Sequence, residues 1–355
     1  MKIAIRKRSF VRNIVMGSVV ISLVIVLGCV NFKDKKKSPS AAQPEVELSA
    51  WLADWQWKPG IEDFSSMADG LSSVQVFAAY FDHTNHLFYT PENKEAIPKI
   101  MKIAAQGSAV NVDLSIVNDQ FKKDGTAIQK DSELITKLMS TAKSRRAHIK
   151  DIVNMVNEYD FHGVEIDYEK IKDEDWDNVS AFYEELYQKL KSMGKPLRIV
   201  LEPRAPIEKI NLPKGPTYVM MAYNLYGSHS GPGPKADFAF IDKMAKKMDQ
   251  LPGEHAMAFA TGGFDWPATG KIVALTEQEA FKLSKKSLRP PKRDAASGAL
   301  YFDYLDEKKG KHTVWYADGK TLSQWIDQSK KAGYYKVALW RLGGFEQTTL
   351  DYFNR

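Results

Sequence analysis

The sequence has one cysteine, no acidic residue in its first 28 positions and no apolar run long enough to span a bilayer. A single cysteine among 355 residues excludes an internal disulfide, so the folded part of the chain depends on its core for stability. The hydrophobic share of 44% excludes a disordered chain, a collagen-like repeat and a disulfide scaffold. Five Lys and Arg residues before Cys29 carry most of the formal net charge of +6. Without them the net charge is about +1, which excludes an electrostatic footprint for nucleic acid.

Residues 1–28 have the pattern of a bacterial lipoprotein signal peptide. A basic start precedes an apolar run of about 14 residues, which is within the range of a signal peptide and below the ~20 residues of a membrane-spanning helix. The run ends in Val-Leu-Gly-Cys29, which resembles a lipobox. We therefore expect Cys29 to be lipidated, residues 29–45 to form a flexible tether, and the protein to be anchored on the extracytoplasmic side of a bacterial membrane. An uncleaved N-terminal anchor with an incidental cysteine is the alternative.

From residue 46 to residue 355, short apolar runs alternate with longer amphipathic stretches. The predicted strands are Ser49–Trp55, Ser73–Phe81, Ala109–Val117, Gly163–Tyr168, Arg198–Glu202, Tyr218–Asn224, Ala256–Ala260 and Lys336–Trp340. The predicted helices include Lys94–Gln106, Ser132–Glu158, Asp175–Met193 and Phe238–Gln250. This alternation favours parallel βαβ units, and eight strands over roughly 310 residues suit an α/β fold of the (β/α)8 TIM-barrel type. An open doubly wound sheet is the alternative, but no Gly-rich dinucleotide loop follows the first strand.

The interval between the seventh and eighth predicted strands is too long for one helix. Within about residues 261–333, two apolar runs, Ala299–Tyr304 and His312–Tyr316, flank the charged segment Asp306–Lys311. This pattern predicts an antiparallel hairpin. We therefore expect a small α+β insertion that forms one wall of a cleft at the top of the barrel.

Three carboxylates alternate with apolar residues after Gly163. Because strand side chains point alternately to opposite faces, Glu165, Asp167 and Glu169 share one face, about 6.5–7 Å apart. In a barrel strand that face looks inward, where desolvation and like charge raise the pKa of at least one carboxyl group. Such a group can act as a general acid near neutral pH. A solvent-facing acidic edge strand and a Mg²⁺ or Mn²⁺ site are alternatives, and the second lacks a His at suitable spacing.

This segment resembles the signature of glycoside hydrolase family 18, which includes chitinases and endo-N-acetylglucosaminidases. The signature is Asp-Gly-x-Asp-x-Asp-x-Glu, and residues 162–169 match it except that His stands at the first position and Glu165 replaces the second Asp. Tyr218–Asn224 resembles the family's sixth strand, with Asn224 in place of Asp. Residues 337–344 resemble its last strand. The Trp-Arg-Leu-Gly ending and the predicted hairpin are similar to those of the bacterial cell-wall and spore-cortex branch.

The resemblance implies a glycoside hydrolase that cleaves β-linked N-acetylglucosamine-containing glycans by a retaining, substrate-assisted mechanism. In that mechanism Glu169 would protonate the glycosidic oxygen while the substrate's 2-acetamido group attacks the anomeric carbon. Asp167 and Tyr223 would orient the acetamido group. Glu165 would take part in a proton relay below Asp167.

The resemblance also implies a substrate-binding surface. Trp340 would lie under the sugar ring, and Met221 and Asn224 would contact the substrate beside it. No cofactor or metal is required, the expected partners are the glycan and the membrane, and the protein is expected to be a monomer. Further candidates for the lining of the cleft stand at predicted strand ends: Asp54, Trp55, Trp57, Asp82, Asn118, Glu202 and Arg204.

Two function classes besides hydrolysis stay open. A lectin-like surface lipoprotein that binds sugar without cleaving it is suggested by the departures at Glu165 and Asn224, whereas the acid at Glu169 argues against it. A solute-binding lipoprotein would require two lobes, which the single barrel pattern does not predict. Among hydrolase substrates, peptidoglycan and chitin-like oligomers come first and N-linked glycans third.

Overall fold

The structure, a computed structural model, describes residues 44–106 and 110–354. The predicted signal peptide 1–28, the lipidation site Cys29 and the tether up to residue 43 lie outside the described residues, as does Ala109. Within the described ranges, no helix is both long and apolar enough to cross a membrane.

Strands and helices alternate along most of the described chain. The strands are β1 (Glu47–Ala53), β2 (Ser73–Phe81), β3 (Leu87–Tyr89), β4 (Asn111–Phe121), β5 (Ala127–Ile128), β6 (Gly163–Asp167), β7 (Leu197–Leu201), β8 (Thr217–Met221), β9 (Glu254–Ala260), β10 (Gly262–Pro267), β11 (Val273–Leu275), β12 (Lys292–Arg293), β13 (Leu300–Leu305), β14 (Lys311–Ala317) and β15 (Lys336–Trp340). The α-helices are α1 (Trp57–Met67), α2 (Pro91–Ala104), α3 (Ser132–Met139), α4 (Ala142–Glu158), α5 (Trp176–Ser192), α6 (Phe238–Met248), α7 (Glu277–Ser284), α8 (Gly319–Lys331) and α9 (Gln347–Phe353).

Eight parallel strands close into a barrel. Their order around it is β1, β2, β4, β6, β7, β8, β9 and β15, and β15 pairs with β1 to close the ring. The short strands β3 and β5 extend β2 and β4 as antiparallel hairpins. The predicted TIM barrel is therefore confirmed. Between β7 and β8 the connection contains a 3-10 turn at Ile207–Lys209 in place of an α-helix.

The alternation of side chains along each barrel strand separates two apolar clusters. Val164 and Ile166 of β6 belong to the large core between the barrel and its helices. The second cluster fills the inside of the barrel and includes Trp51, Val219 and Met221. Because both faces of every barrel strand are covered, a charged side chain on the inner face needs a partner inside the barrel.

The predicted single helix Ser132–Glu158 is wrong, because it is two helices. The first ends at Met139, and the second begins at Ala142 after an extended residue, Thr141 (φ −140°, ψ 154°). Thr141 Oγ1 accepts a hydrogen bond from Ser144 N at 3.0 Å, and Ser144 Oγ accepts one from Thr141 N at 3.1 Å. This reciprocal capping box starts a new helix and turns the chain between the two.

The insertion between β9 and β15 is an antiparallel sheet with one helix. β13 and β14 form the predicted hairpin, and β10 pairs with both β14 and β11. β12 completes the five strands, and α7 packs against the sheet. The chain then continues into α8, which packs against α6 in the helix layer of the barrel.

Candidate active site

Strand β6 places the predicted carboxylates at increasing distance from the barrel centre. Glu165 is completely buried and Asp167 is 7% exposed. Their neighbours Val164 and Ile166 point the other way into the helix-side core. Glu169 lies two residues beyond the end of the strand and is partly exposed. The inward acidic face predicted from the alternation is therefore present.

The residues at the start of β6 lie at the end of the barrel opposite to Asp167 and Glu169, and their contacts are with neighbouring segments of the fold. A Cβ on Gly163 would lie 2.7 Å from Asp113 Oδ1 and 2.8 Å from Pro196 Cγ, so the strand enters at a point where only glycine fits. His162, the first departure from the family signature, has its Nδ1 3.2 Å from Asp113 Oδ1, and this hydrogen bond raises the pKa of His162. The substitution at this position thus contributes to the structure of the strand's entry.

Glu165, the second departure, is held by a ring of donors inside the barrel. Arg198 Nε donates to Glu165 Oε2 at 2.9 Å, and Ser115 Oγ donates to Oε1 at 2.7 Å. Trp51 Nε1 also donates to Oε1. Arg198 further contacts Ser49 Oγ at 3.3 Å. These contacts offset part of the cost of burying the charge, while Arg198 Nη2 is buried and has no hydrogen-bond partner among the residues that the structure describes.

Asp167 lies above this ion pair and has no comparable partner. Its Oδ1 is buried and accepts no hydrogen bond from any residue that the structure describes. Burial, followed by the charges of Glu169 and Glu165, raises the pKa of Asp167 well above its ordinary value. Burial and like charge thus favour the neutral form of this carboxyl, and its Oδ1 has no hydrogen-bond partner among the described residues.

Glu169 is fixed through its backbone and neutralised through its side chain. Asn118 Oδ1 accepts from Glu169 N at 3.0 Å, and Asn118 Nδ2 donates to Glu169 O at 2.9 Å. Lys130 Nζ forms an ion pair with Glu169 Oε2. Burial raises the pKa of Glu169, the Lys130 ammonium opposes that rise, and neighbouring Glu202 adds to it. The balance favours a carboxyl that can hold a proton at higher pH than an exposed glutamate.

The two carboxyl groups can together supply a proton and accept a hydrogen bond. Glu169 is the more exposed of the two and can meet a ligand from the cleft, whereas Asp167 offers its free oxygen from below. This arrangement suits general acid catalysis beside a group that develops positive charge. Among the residues described, no group of three or more His, Cys, Asp or Glu side chains is arranged to hold a metal ion.

The predicted substrate-binding residues lie around these carboxyls. Met221 and Tyr223 are buried in the cluster inside the barrel, where Trp340 packs against them. Burial and the neighbouring carboxylates, with Asp167 the strongest, raise the pKa of Tyr223, so its hydroxyl stays protonated. The Trp340 ring lies 4.6 Å from the ring of Phe77 and 5.8 Å from that of Trp51, centroid to centroid. Trp340 is thus a fixed aromatic surface at the end of β15.

Asn224 lies just beyond β8 in a left-handed conformation (φ 63°), which Asn adopts more readily than most residues. It is exposed and lines a cavity of about 350 Å³ together with Trp340. The structure therefore places it at the edge of the site, on the side of the insertion.

Three of the other strand-end candidates lie beside these residues: Trp55, Asn118 and Glu202. Trp55 is 56% exposed, and its ring is 6.3 Å from that of Trp340. Arg204 is largely exposed, with its guanidinium 3.9 Å from Glu202. These residues extend the polar and aromatic rim of the cleft.

The remaining three candidates have structural contacts. Asp54 is buried and accepts hydrogen bonds from Tyr80 OH at 3.0 Å and Thr90 Oγ1 at 2.7 Å. Asp82 Oδ1 accepts from backbone N–H groups in its own turn. Trp57 lies in α1, with Lys99 Nζ 4.2 Å from its ring centroid.

Sequence reasoning missed two residues that complete the charge balance. Arg198 could have been found, because it occupies the inward face of β7 opposite Leu197 and Ile199, and a charge there needs a partner. Lys130 gave no such signal. It follows the short strand β5 in an irregular segment, and its contact with Glu169 forms only when the chain folds.

The chain was compared with known protein families and structures. The family model for glycosyl hydrolases family 18 matches residues 47–344. A Bacillus subtilis (strain 168) protein named uncharacterized glycosylase YvbX is 25% identical over 223 residues, which are 59% of this chain and 64% of that protein. The cortical fragment-lytic enzyme of Bacillus anthracis is 23% identical over 332 residues, which are 86% of this chain and 73% of that protein.

A solved structure shares the fold. The chain superimposes on the Bacillus cereus spore cortex-lytic enzyme SleL with a TM-score of 0.74 and 18% identity, covering 89% of this chain and 75% of that one.

Removing Arg198 tests the charge balance inside the barrel. In Arg198→Met, Glu165 stays buried without its cationic partner, and we expect the free energy of unfolding to fall by about 3–5 kcal/mol. Urea denaturation of the purified chain measures this loss. The double variant Glu165→Gln/Arg198→Met removes both charges and should recover most of it. The exposed Arg146→Gln is the matched control, and an equal loss in single and double variants would contradict the ion-pair explanation.

Proposed function

The chain belongs to glycosyl hydrolases family 18, a family of glycosidases, and on that premise we propose that it cleaves β-linked N-acetylglucosamine-containing glycans by a retaining, substrate-assisted mechanism. The observation that carries the proposal is the pairing of a partly exposed acid, Glu169, with a buried Asp167 whose Oδ1 has no partner among the described residues. The first can donate a proton to a leaving group, and the second can accept a hydrogen bond from the substrate.

Glu169 acts as the general acid. Its pKa is raised by burial and by Glu202, so it carries a proton under conditions in which an exposed glutamate would be ionised. The proton passes to the glycosidic oxygen as the bond to the anomeric carbon breaks. Asn118 binds both the backbone N–H and the backbone C=O of Glu169, which restrains the position of the acid at the end of the barrel.

Asp167 receives the 2-acetamido N–H. The acetamido oxygen attacks the anomeric carbon and closes an oxazolinium ring that carries positive charge. Asp167 Oδ1, which has no partner among the described residues, accepts a hydrogen bond from this N–H and so orients the acetamido group for the attack. The Tyr223 hydroxyl donates a hydrogen bond to the acetamido oxygen, which it can do because its raised pKa keeps it protonated. Glu169, now ionised, accepts a proton from water as the water oxygen bonds to the anomeric carbon and the bond to the acetamido oxygen breaks, which restores the acid and gives net retention of configuration.

The lectin-like alternative is not favoured. A binding protein would not need an acid whose pKa is raised, nor a second carboxyl with an unused buried oxygen. Both departures from the family signature in the strand segment have structural partners: His162 contacts Asp113, and Glu165 contacts Arg198. They therefore supply no argument for loss of turnover.

Peptidoglycan is the substrate class that the relatives support. The names of two of them, a cortical fragment-lytic enzyme and a spore cortex-lytic enzyme, describe action on spore cortex. Chitin-like oligomers share the N-acetylglucosamine unit that Asp167 and Tyr223 would recognise. The chain spans 64% of the length of one curated relative and 73% of the other, so its own activity is proposed from its site.

Substituting the acid tests the reaction class. Glu169→Gln keeps the size of the side chain and removes its proton, so we expect kcat on N-acetylglucosamine oligomers and on peptidoglycan to fall about 10²–10⁴-fold. Reducing-end release measures the rate, and proton NMR of the first product should show the β-anomer in the wild-type reaction. Glu62→Gln, an exposed change on α1, is the control and should keep full activity. An unchanged kcat in Glu169→Gln would remove Glu169 from the mechanism.

The Lys130 contact predicts the pH dependence. Lys130 lowers the pKa of Glu169, so Lys130→Met should raise that pKa and keep the acid protonated to higher pH. The alkaline limb of kcat/KM should therefore move upward by roughly 1–3 pH units. Lys130→Arg retains the charge and should leave the limb near its original position. If the limb stays in place in Lys130→Met as well, Lys130 does not set the proton affinity of the acid.

We also propose that the protein is a lipoprotein, anchored through Cys29 on the extracytoplasmic side of a bacterial membrane. The support is the Val-Leu-Gly-Cys29 sequence after a basic and apolar leader, followed by a polar tether. Metabolic labelling of a bacterial host with a palmitate analogue should mark the wild-type chain and leave Cys29→Ser unlabelled. Ser40→Ala is the control. Labelling of Cys29→Ser would contradict the proposal, since the chain has no other cysteine.

A further inference from the structure

The polar cavity that Asn224 and Trp340 line extends away from the proposed catalytic carboxyls. It has a volume of about 350 Å³ and lies between the top of the barrel and the insertion. Trp340 and Asn224 belong to its lining and connect it to the active site. The remaining wall includes the cationic residues Lys235 and Arg341, and Phe264 of strand β10.

The Lys235 side chain and the Arg341 backbone both contact one residue, Thr261. Lys235 Nζ donates to Thr261 O at 2.6 Å, and the Arg341 backbone N donates to Thr261 Oγ1 at 3.0 Å. Lys235 Nζ also lies 5.0 Å from the ring centroid of Phe264, while the Arg341 guanidinium lies 5.3 Å from that of Trp55. The two side chains are therefore positioned by neutral partners and aromatic faces.

Neither cation is neutralised within the folded chain. Among residues 44–106 and 110–354, no carboxylate oxygen lies within 4.0 Å of Lys235 Nζ or of the Arg341 guanidinium. The Arg341 guanidinium donates to the amide oxygen of Gln56, which carries no charge. Burial and the neighbouring Arg341 lower the pKa of Lys235 to about 7. The lowered pKa reflects the cost of holding the Lys235 ammonium away from water beside the guanidinium, and an anion bound between the two side chains would favour the charged form of Lys235.

The acidic residues of the cavity wall are engaged elsewhere. Glu279 Oε2 accepts from Thr276 N at 2.7 Å and Thr276 Oγ1 at 3.0 Å, where it caps α7. Glu277 accepts from Thr349 Oγ1 at 2.7 Å, and burial raises the pKa of Glu277 to about 7. Glu279 favours the charged form of Arg341 from a distance, without forming an ion pair with it. Neither carboxylate forms an ion pair with Lys235 or Arg341, so both of these side chains are available to a ligand that enters the cavity.

We propose that Lys235 and Arg341 form a carboxylate-binding subsite, through which the enzyme selects N-acetylglucosamine-containing glycans that carry acidic substituents over neutral ones. The inference rests on the proposed function and specifies its substrate class. A carboxylate fits because a guanidinium binds both of its oxygens and an ammonium can bind one of them from the side. The carboxylate can belong to an ether substituent on the neighbouring sugar or to a peptide attached to it.

The substrates for the test differ only in their carboxyl groups. Peptidoglycan strands from which an amidase has removed the peptides carry free ether carboxylates. The same strands treated with carbodiimide and methylamine carry neutral amides instead. Strands that retain their peptides offer peptide carboxylates, and neutral N-acetylglucosamine oligomers offer none. Comparing the two acidic substrates identifies which carboxylate the subsite binds.

The readout is the ratio of kcat/KM for acidic strands to kcat/KM for their amidated counterparts, measured with the full chain. The wild-type ratio should be about tenfold or more, and Arg341→Gln and Lys235→Met should each reduce it severalfold to tenfold, because each removes a hydrogen bond from a charged donor to the carboxylate. Arg341→Lys should keep part of the preference. Arg146→Gln and Lys243→Met, both exposed and neither part of the cavity wall, are the controls and should keep the wild-type ratio.

The outcomes separate this inference from the proposed function. Cleavage of acidic and amidated strands at equal rates would overturn the carboxylate subsite and leave the glycosidase proposal intact. If no substrate is cleaved, the glycosidase proposal fails, and calorimetry with the same two strands decides the subsite alone. Tighter binding of the acidic strand by wild type, lost in both Arg341→Gln and Lys235→Met, would support it, and equal binding would overturn it.

Discussion

The cost of placing three carboxyl groups on the inner face of one barrel strand determines much of the site. A different effect reduces the cost of burial for each group. Glu165, at the centre, is paired with Arg198 and two further donors. Asp167 is favoured in its neutral form, because burial and like charge raise its pKa. Glu169, at the rim, is paired with Lys130. The three groups therefore differ in their partners: a cation inside the barrel for Glu165, no hydrogen-bond donor among the described residues for Asp167 Oδ1, and a cation at the rim for Glu169.

The segments beside the insertion add positively charged side chains to this arrangement. The barrel strand brings carboxyl groups to the floor of the cleft, while the segments around the insertion bring Lys235 and Arg341 to its side. Trp340 lies between the two and has no charge of its own. In the proposed complex, the glycosidic bond would lie beside the carboxyl groups, and an acidic substituent would lie beside Lys235 and Arg341. Such separation favours one direction of binding along the cleft.

Local periodicity predicted the fold and the acidic strand, because both depend on alternation over a few residues. The eight strands, the hairpin and the inward face of Glu165 and Asp167 follow from a period of two. The break between α3 and α4 was missed because its capping box uses Ser144, where Glu or Gln is the usual signal. Lys130 was missed because its contact with Glu169 joins residues 39 positions apart through an irregular segment. Roles that depend on such meetings require the three-dimensional structure.

Asn118 has a consequence for the entropy of the reaction proposed above, in which Glu169 is the acid. Its side-chain amide binds both the N–H and the C=O of Glu169, so a residue beyond the end of β6 is restrained by β4 as though the strand continued. The backbone freedom of the acid is thus lost during folding and need not be lost again at each turnover. Only side-chain torsions then remain to be ordered when the proton is transferred. The neighbouring strand in this way contributes to the rate without touching the substrate.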